Sequence, residues 1–558
     1  MDNKVLDIRN EDEIISSLNN VDTIVMRKYL NNLTEYQVVP LRNDLANKNV
    51  TEYIRLYKVE KIVFETDENN QSKLATVYQA VHGLDSSIIT IIDSDGININ
   101  YYIGVKSLNG SLSASKSVLE KSFYGNFFGS EVVNMKNPDI EKIFEKIEKF
   151  EGNKTISSCS VISRFKKGKN TDEEFIQGIE KLIDSMKGEK YKVIIISDPI
   201  DSNELSNIKN GYEQIYSQLV PFSKNSLNFG INESISVTES ISNTTSKSIS
   251  ESISKTQTAS YSHTDSVSNT KGSSLNIGIG IGIPTQVKLF PNAGLGVNFS
   301  KTNISSDKRG ESNSVGMTSG SSYSTSRSDS ESKGNTKGSS SNIQIEFENK
   351  TVQNLMQRID NHLERLNECE DLGVWNSCTY FITNDAQTNN IISSCYQSIM
   401  RGEDSSISTG AINTWSDNDD TTRHKLKEIN KYISKMCHPL LRISQNTPLV
   451  SPALLVSSSE LSIQAGIPQK SVPGVAIVKY SKFAREVLYS DKLSSFENEI
   501  NLGNIYHLGS DEKSKVNLNV NSLVSHTFIT GSTGSGKSNT VYNIISELSK
   551  RDINFLVI

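Results

Sequence analysis

Eight consecutive residues carry the most specific chemistry in this chain. Gly531-Ser532-Thr533-Gly534-Ser535-Gly536-Lys537-Ser538 meets every fixed position of G-x-x-x-x-G-K-[ST]. Gly531, Gly534 and Gly536 can take backbone angles closed to other residues. Such a loop turns successive N–H groups inward at a helix N-terminus, where the helix dipole also favours negative charge, so it can hold phosphate oxygens. Lys537 would reach the β- and γ-phosphates, and the Ser538 hydroxyl would ligate Mg²⁺. ATP with Mg²⁺ is the expected ligand pair, with Lys537 as the catalytic residue and Asn539 extending the nucleotide-binding set. The competing explanation is a chance match in a chain rich in Gly and Ser.

The elements that must position the loop argue against chance. His526 to Ile558 reads as strand, glycine-rich loop, helix, strand. Thr527, Phe528 and Ile529 form an apolar strand entering the loop, and Val541, Ile544, Ile545 and Leu548 put an apolar stripe on the helix after it. Ile553 to Ile558 reads as the next buried strand. A hydrolase of this kind also needs a second acidic cluster for Mg²⁺, a residue that orients the attacking water, and usually an arginine finger. None follows Ile558, so the chain reads as a front half whose hydrolysis would be completed by residues outside it.

The run HTFITGSTGSGKSNT, with Leu523 three residues ahead of His526, resembles the central ATPase domain of the HerA/FtsK superfamily of ring-forming translocases. The approach SVPGVAIVKYSKFAREVLYS…INLGNIYHLG is similar to the segment before that domain in HerA-type proteins, so the resemblance covers roughly residues 471–558. It implies the start of a RecA-like P-loop NTPase domain and a homo-oligomeric ring, hexameric in the family. It also implies ATP-driven movement of a polymer through the centre, with DNA as the cargo, and a nuclease as a further partner to look for.

Length and composition bound the rest. A chain of 558 residues suggests three or four domains. A formal net charge of −6 argues against a broadly basic nucleic-acid-binding surface, though a ring can be basic in its lumen alone. Five cysteines with no C-x-x-C pair suit reduced cytosolic thiols better than a disulfide framework, which gives a cytoplasmic expectation. Seven scattered histidines offer no metal-ligand spacing, so no metal besides Mg²⁺ is expected. The N-terminus is too acidic and polar for a signal peptide, and no run of 18 apolar residues is present.

Taken in order, residues 1–150 read as an α+β platform, with β-type runs at 61–65, 88–92 and 98–105 and helices at 115–124 and 141–150. An α/β domain follows, split into 151–225 and 348–405. Its first part has a capping box at Thr171–Glu174, a buried strand at Val193–Ile196 and a helix from Ser202. Its second part has a helix marked by Val352, Leu355, Ile359 and Leu366, a strand at Cys378–Ile382 and a helix from Asp385 to Met400. Gly402 to Asp420 reads as a polar linker, within a helical connector spanning 406–470 that has a second capping box at Ser457–Glu460. Arg423, His424, Lys425 and Lys427 read as a solvated helix face rather than a nucleic-acid contact. Val475–Val478 begins the strands feeding the nucleotide site, in the incomplete domain 471–558. The expected fold class is α/β.

The insertion at 226–347 has its own signature. Every even-numbered residue from Ser234 to Thr270 is Ser or Thr, 19 in a row, and even positions from Gly310 to Ser340 are all Ser, Thr or Gly. A period of two puts these on one face of a strand and would smear them around a helix. Leu227, Phe229 and Ile231 mirror Ile343, Ile345 and Phe347, so the insertion reads as one long β-hairpin. A lone hairpin of that length is unstable in water and needs copies or a partner. Three readings stand: a disordered Ser-rich linker, a self-assembling β-tube, or a hairpin whose tip, residues 273–301, spans a membrane. The tip alternates Ile277, Ile279, Ile281 and Ile283 with glycines over about the length a spanning strand needs. The last reading makes the alternative function a membrane-associated secretion or pore assembly, in which the ATPase drives or gates a β-tube.

Overall fold

The computed structural model describes residues 27–65, 68–108, 110–149, 154–163, 178–228, 322–324, 344–348, 350–401, 410–442, 449–480, 485, 499–508, 510–523 and 525–557. The capping box at Thr171–Glu174, most of the Ser/Thr ribbon and the 273–301 tip lie outside these residues.

Ten strands form one sheet: β1 (Ile54–Glu65), β2 (Ser87–Asp95), β3 (Ile99–Lys106), β4 (Glu131–Asn134), β5 (Thr155–Ser160), β6 (Lys190–Ile200), and, after three strands at the insertion, β10 (Val374–Thr383), β11 (Ala411–Ser416), β12 (Leu454–Ser457) and β13 (Ala476–Tyr480). Their order is β11-β5-β10-β6-β2-β3-β1-β13, with β12 beside β10 and β4 beside β1. All pairings are antiparallel except β13 with β1. Strands from 1–150, from 151–225 with 348–405, and from 406–480 therefore share one ladder. β13 completes this sheet as a neighbour of β1, rather than feeding the nucleotide site as expected.

The central strands are dry along their length. β10 is buried at every position and β6 at all but its first. This is why Val193–Ile196 and Cys378–Ile382 read as continuous apolar runs rather than alternating ones. Helices cover the sheet: α1 (Asn70–His82), α2 (Leu112–Asn126), α3 (Asn137–Glu148), α4 (Ile179–Ser185), a long pair α5 (Ser202–Ser223) and α6 (Lys350–Glu370), α7 (Ala386–Met400), α8 (Arg423–Ser434) and α9 (Ser458–Gln464). In α3 the buried residues Ile140, Ile143, Phe144 and Ile147 follow the i, i+3, i+4, i+7 rule of a helix with one inward face. α5 and α6 pack through a separate core that includes Ile208, Ile215, Val352 and Ile359.

Two elements differ from expectation for identifiable reasons. α1 went unread because its start, capped by Asn69 on the amides of Gln71 and Ser72, is made of polar residues common in loops. The expected linker at 402–420 contains β11, an edge strand that buries Ala411, Asn413 and Trp415 at alternate positions. The basic residues of α8 are partly spent on the chain itself: Lys425 Nζ donates to the Thr34 carbonyl at 2.5 Å, and Arg423 pairs with Asp420 at 2.9 Å. The capping box at Ser457–Glu460 forms as read, and the Glu460 carboxylate also takes a two-point contact from Arg365 of α6, at 2.9 and 2.6 Å.

At the insertion, β7 (Lys224–Asn228) pairs antiparallel with β9 (Gln344–Glu348), with Leu227 opposite Ile345. The outer edge of β9 pairs antiparallel with β8 (Ser322–Ser324), which sets Tyr323 opposite Ile345 as well. The rest of the ribbon, and with it the long hairpin expected there, lies outside the described residues. Among the described residues no helix is long and apolar enough to cross a membrane.

An ion pair is sealed in the middle of the sheet. Lys106 Nζ lies 2.6 Å from Asp198 Oδ1, with the two side chains 1% and 2% exposed. Ser87 donates to the same carboxylate at 2.5 Å, Lys106 donates to the Met436 carbonyl at 2.8 Å, and His438 Nε2 lies 3.7 Å from Asp198 Oδ2. Burial works against the Lys106 charge, but Asp198 outweighs it and the ammonium is held above its usual value. Asp198→Ala leaves that charge uncompensated and should cost about 3–5 kcal/mol, read as a lowered urea midpoint.

Lys154 is the opposite case. It caps α3 through the carbonyls of Ile147 at 2.6 Å and Glu148 at 3.2 Å, and donates to Asn430 Oδ1 at 2.6 Å. Burial lowers its pKa to about 8, well below the usual range of a lysine. Between those values the unfolded chain binds more protons, so folding stability contributed by this group rises with pH. The stability of the wild type relative to Lys154→Met should therefore increase from pH 8 to 10 in denaturant titrations; a flat difference would contradict the assignment.

Candidate nucleotide-binding site

The site is built on α10 (Lys537–Ser549) and the hairpin of β14 (Glu499–His507) and β15 (Ser510–Asn519). Gly536 caps the helix with φ of 90°, and Gly534 has φ of 79°. Both angles lie in the left-handed region that glycine tolerates, and a β-carbon at either would meet open space, so conformation rather than room demands glycine there. At Gly531 a β-carbon would fall on the Ser535 hydroxyl, which would have to turn aside. The Ser535 amide donates to the Ser532 carbonyl at 3.2 Å, which tightens the turn. The amides of Gly534, Gly536, Lys537 and Ser538 have no protein acceptor among the described residues.

Lys537 Nζ bridges the loop, donating to the carbonyls of Gly531 at 2.9 Å and Ser532 at 2.7 Å. Thr533 and Ser538 are exposed beside it, with Asn539 on the first turn of α10. The structure thus brings Gly531 through Asn539 together as one largely exposed turn. It presents open amides, an ammonium and a hydroxyl on one helix N-terminus, a donor set suited to a polyanion. At the far end of α10, hydrogen bonds from Lys550 and Arg551 hold Glu547 below its usual value.

The flanking strands expected at Thr527–Ile529 and Ile553–Ile558 are not formed among the described residues: 526–532 and 553–557 carry no ladder pairing. A strand exists only beside a partner, and none lies next to either stretch. The apolar stripe of α10 is only partly covered, with Ile544, Ile545 and Leu548 half-buried. No residue of that helix is buried, Val541 is 39% exposed, and Phe528 is 88% exposed.

Sequence reasoning missed what holds the helix. The β14–β15 ladder shifts register between Asn501 and Gly503, leaving Leu502 out of the pairing. The Leu502 carbonyl instead accepts from Asn543 Nδ2 of α10 at 3.0 Å. The one signal was a polar residue just ahead of Ile544 and Ile545 in the apolar stripe.

The residues fit the group the motif implies. With a triphosphate bound, Mg²⁺ would supply neutralisation of phosphate charge, and Ser538 is the residue placed to ligate it. Lys537 would exchange its two carbonyl partners for phosphate oxygens, and the open amides would orient the chain of phosphates.

No curated protein matches the chain. Residues 500–558 match the family model of the helicase HerA central domain, starting within β14 and leaving out the 471–499 part of the resemblance. The match supports an ATPase of HerA/FtsK type over this stretch, a family that uses nucleotide and Mg²⁺.

Proposed function

We propose that the chain is the ATP-binding subunit of a ring-forming translocase of HerA/FtsK type that moves DNA with ATP hydrolysis. The observation that carries this reading is the loop at Gly531–Ser538, with left-handed Gly534 and Gly536, unshared amides and Lys537 at the helix start. It stands inside the stretch that matches the HerA central domain. The loop grips the phosphates, Lys537 neutralises them, and Ser538 holds Mg²⁺. Ring assembly places each loop against a neighbouring subunit, which is how such motors complete their catalytic set. The overall charge of −6 is compatible with DNA threading only if basic residues are gathered around the lumen.

Measurements of nucleotide binding, assembly and DNA response test this. Lys537→Ala should abolish ATP·Mg²⁺ binding in titration calorimetry while leaving the urea transition of the main sheet unchanged, because Lys537 bonds only within its own loop. Unchanged affinity would refute the site. Sedimentation with nucleotide should give a multi-subunit ring, and that ring should bind duplex DNA. A monomer indifferent to DNA would reduce the protein to a nucleotide-binding module.

A further inference from the structure

α10 has no buried side chain, so the hairpin behind it is what fixes the loop in space. The far end of that hairpin is seated on the main body. His507 is 7% exposed and its ring lies 5.9 Å from that of Phe128. Leu508, with φ of 47° and only 3% exposed, makes the turn. Its carbonyl oxygen comes so close to Gly129 that a β-carbon there would overlap it, and Gly129 has φ of 81°. The receiving turn is rigid. Phe127 beside it is buried against Phe64 and Phe123 at 6.2 and 4.9 Å, and the Ser130 hydroxyl accepts from the Val63 amide at 2.9 Å. From Leu502 to His507 the strand spans about 17 Å.

We infer that the β14–β15 hairpin is a strut joining the nucleotide loop to the Phe128–Ser130 turn, with Asn543 as the positioning residue that fastens α10 to it. The bulge at Leu502 is what makes this possible: it releases a carbonyl from the ladder, and the Asn543 amide takes it. Displacing the tip therefore shifts α10, and holding α10 by a ligand at its N-terminus steadies the tip. Such linkage is reciprocal by thermodynamic necessity. This inference rests on the nucleotide-binding reading.

The test uses the intact chain and ATP·Mg²⁺. Gly129→Ala unseats the tip from the body side and Asn543→Ala unfastens α10 from the other, so a folding fault in one variant does not compromise both. Each should weaken ATP affinity about fivefold or more, and Asn543→Gln should restore part of the loss. In wild type, ATP should slow amide exchange at Phe128–Ser130, and Lys537→Ala should abolish that slowing. ATP affinity within twofold of wild type in both variants, with no exchange change at the turn, overturns the strut and leaves the nucleotide site standing. A wild type that binds no ATP overturns both.

Discussion

Inside a sheet dry on both faces, every backbone amide and every charge must find its partner within the protein, and that requirement governs this molecule. β6 and β10 meet it by pairing with each other along ten residues and with β2 and β5 on their outer edges. Several polar groups that enter the sheet are matched in the same way. Ser197 and Ser377 share a hydrogen bond at 2.9 Å across the β6–β10 ladder, and Lys106 meets Asp198 with Ser87, Met436 and His438 closing the shell. The ion pair binds strands from β3 and β6 to the segment after α8. Three stretches distant in sequence thus have a single permitted alignment.

The nucleotide loop sits at the opposite extreme. Its helix is held by one side-chain-to-backbone bond and the packing of a two-stranded hairpin, and its apolar face is only partly covered. On the proposed function the site must admit a large polyanion and then release it, and elements of low local stability are those that functional motion draws on. The rigid sheet and the lightly held loop are joined at the Phe128–Gly129 turn.

How far the sequence could be read depended on the range of the interactions involved. The turn at Gly531–Gly536 was legible because its constraint is local: Gly534 and Gly536 are dictated by their own backbone angles. The helices with regular apolar spacing, such as α3 and α6, were legible for the same reason. What stayed hidden needed partners far along the chain. β11 reads as linker until Trp415 is seen buried beside Ile156, and β13 reads as part of the nucleotide domain until its register with Lys61–Glu65 is known. At Thr527–Ile529 the local pattern said strand, but without a neighbour the pattern alone forms no ladder.

The two ends of the insertion emerge side by side. Lys224 stands opposite Glu348, and the helices that lead to them, α5 and α6, are already packed together. The closure cost of whatever lies between is thus met by the helix pair, and it grows only with the logarithm of length. The insertion can lengthen, shorten or be exchanged for another appendage while the sheet keeps its shape, which makes this junction a natural place for related chains to diverge and for an engineer to graft.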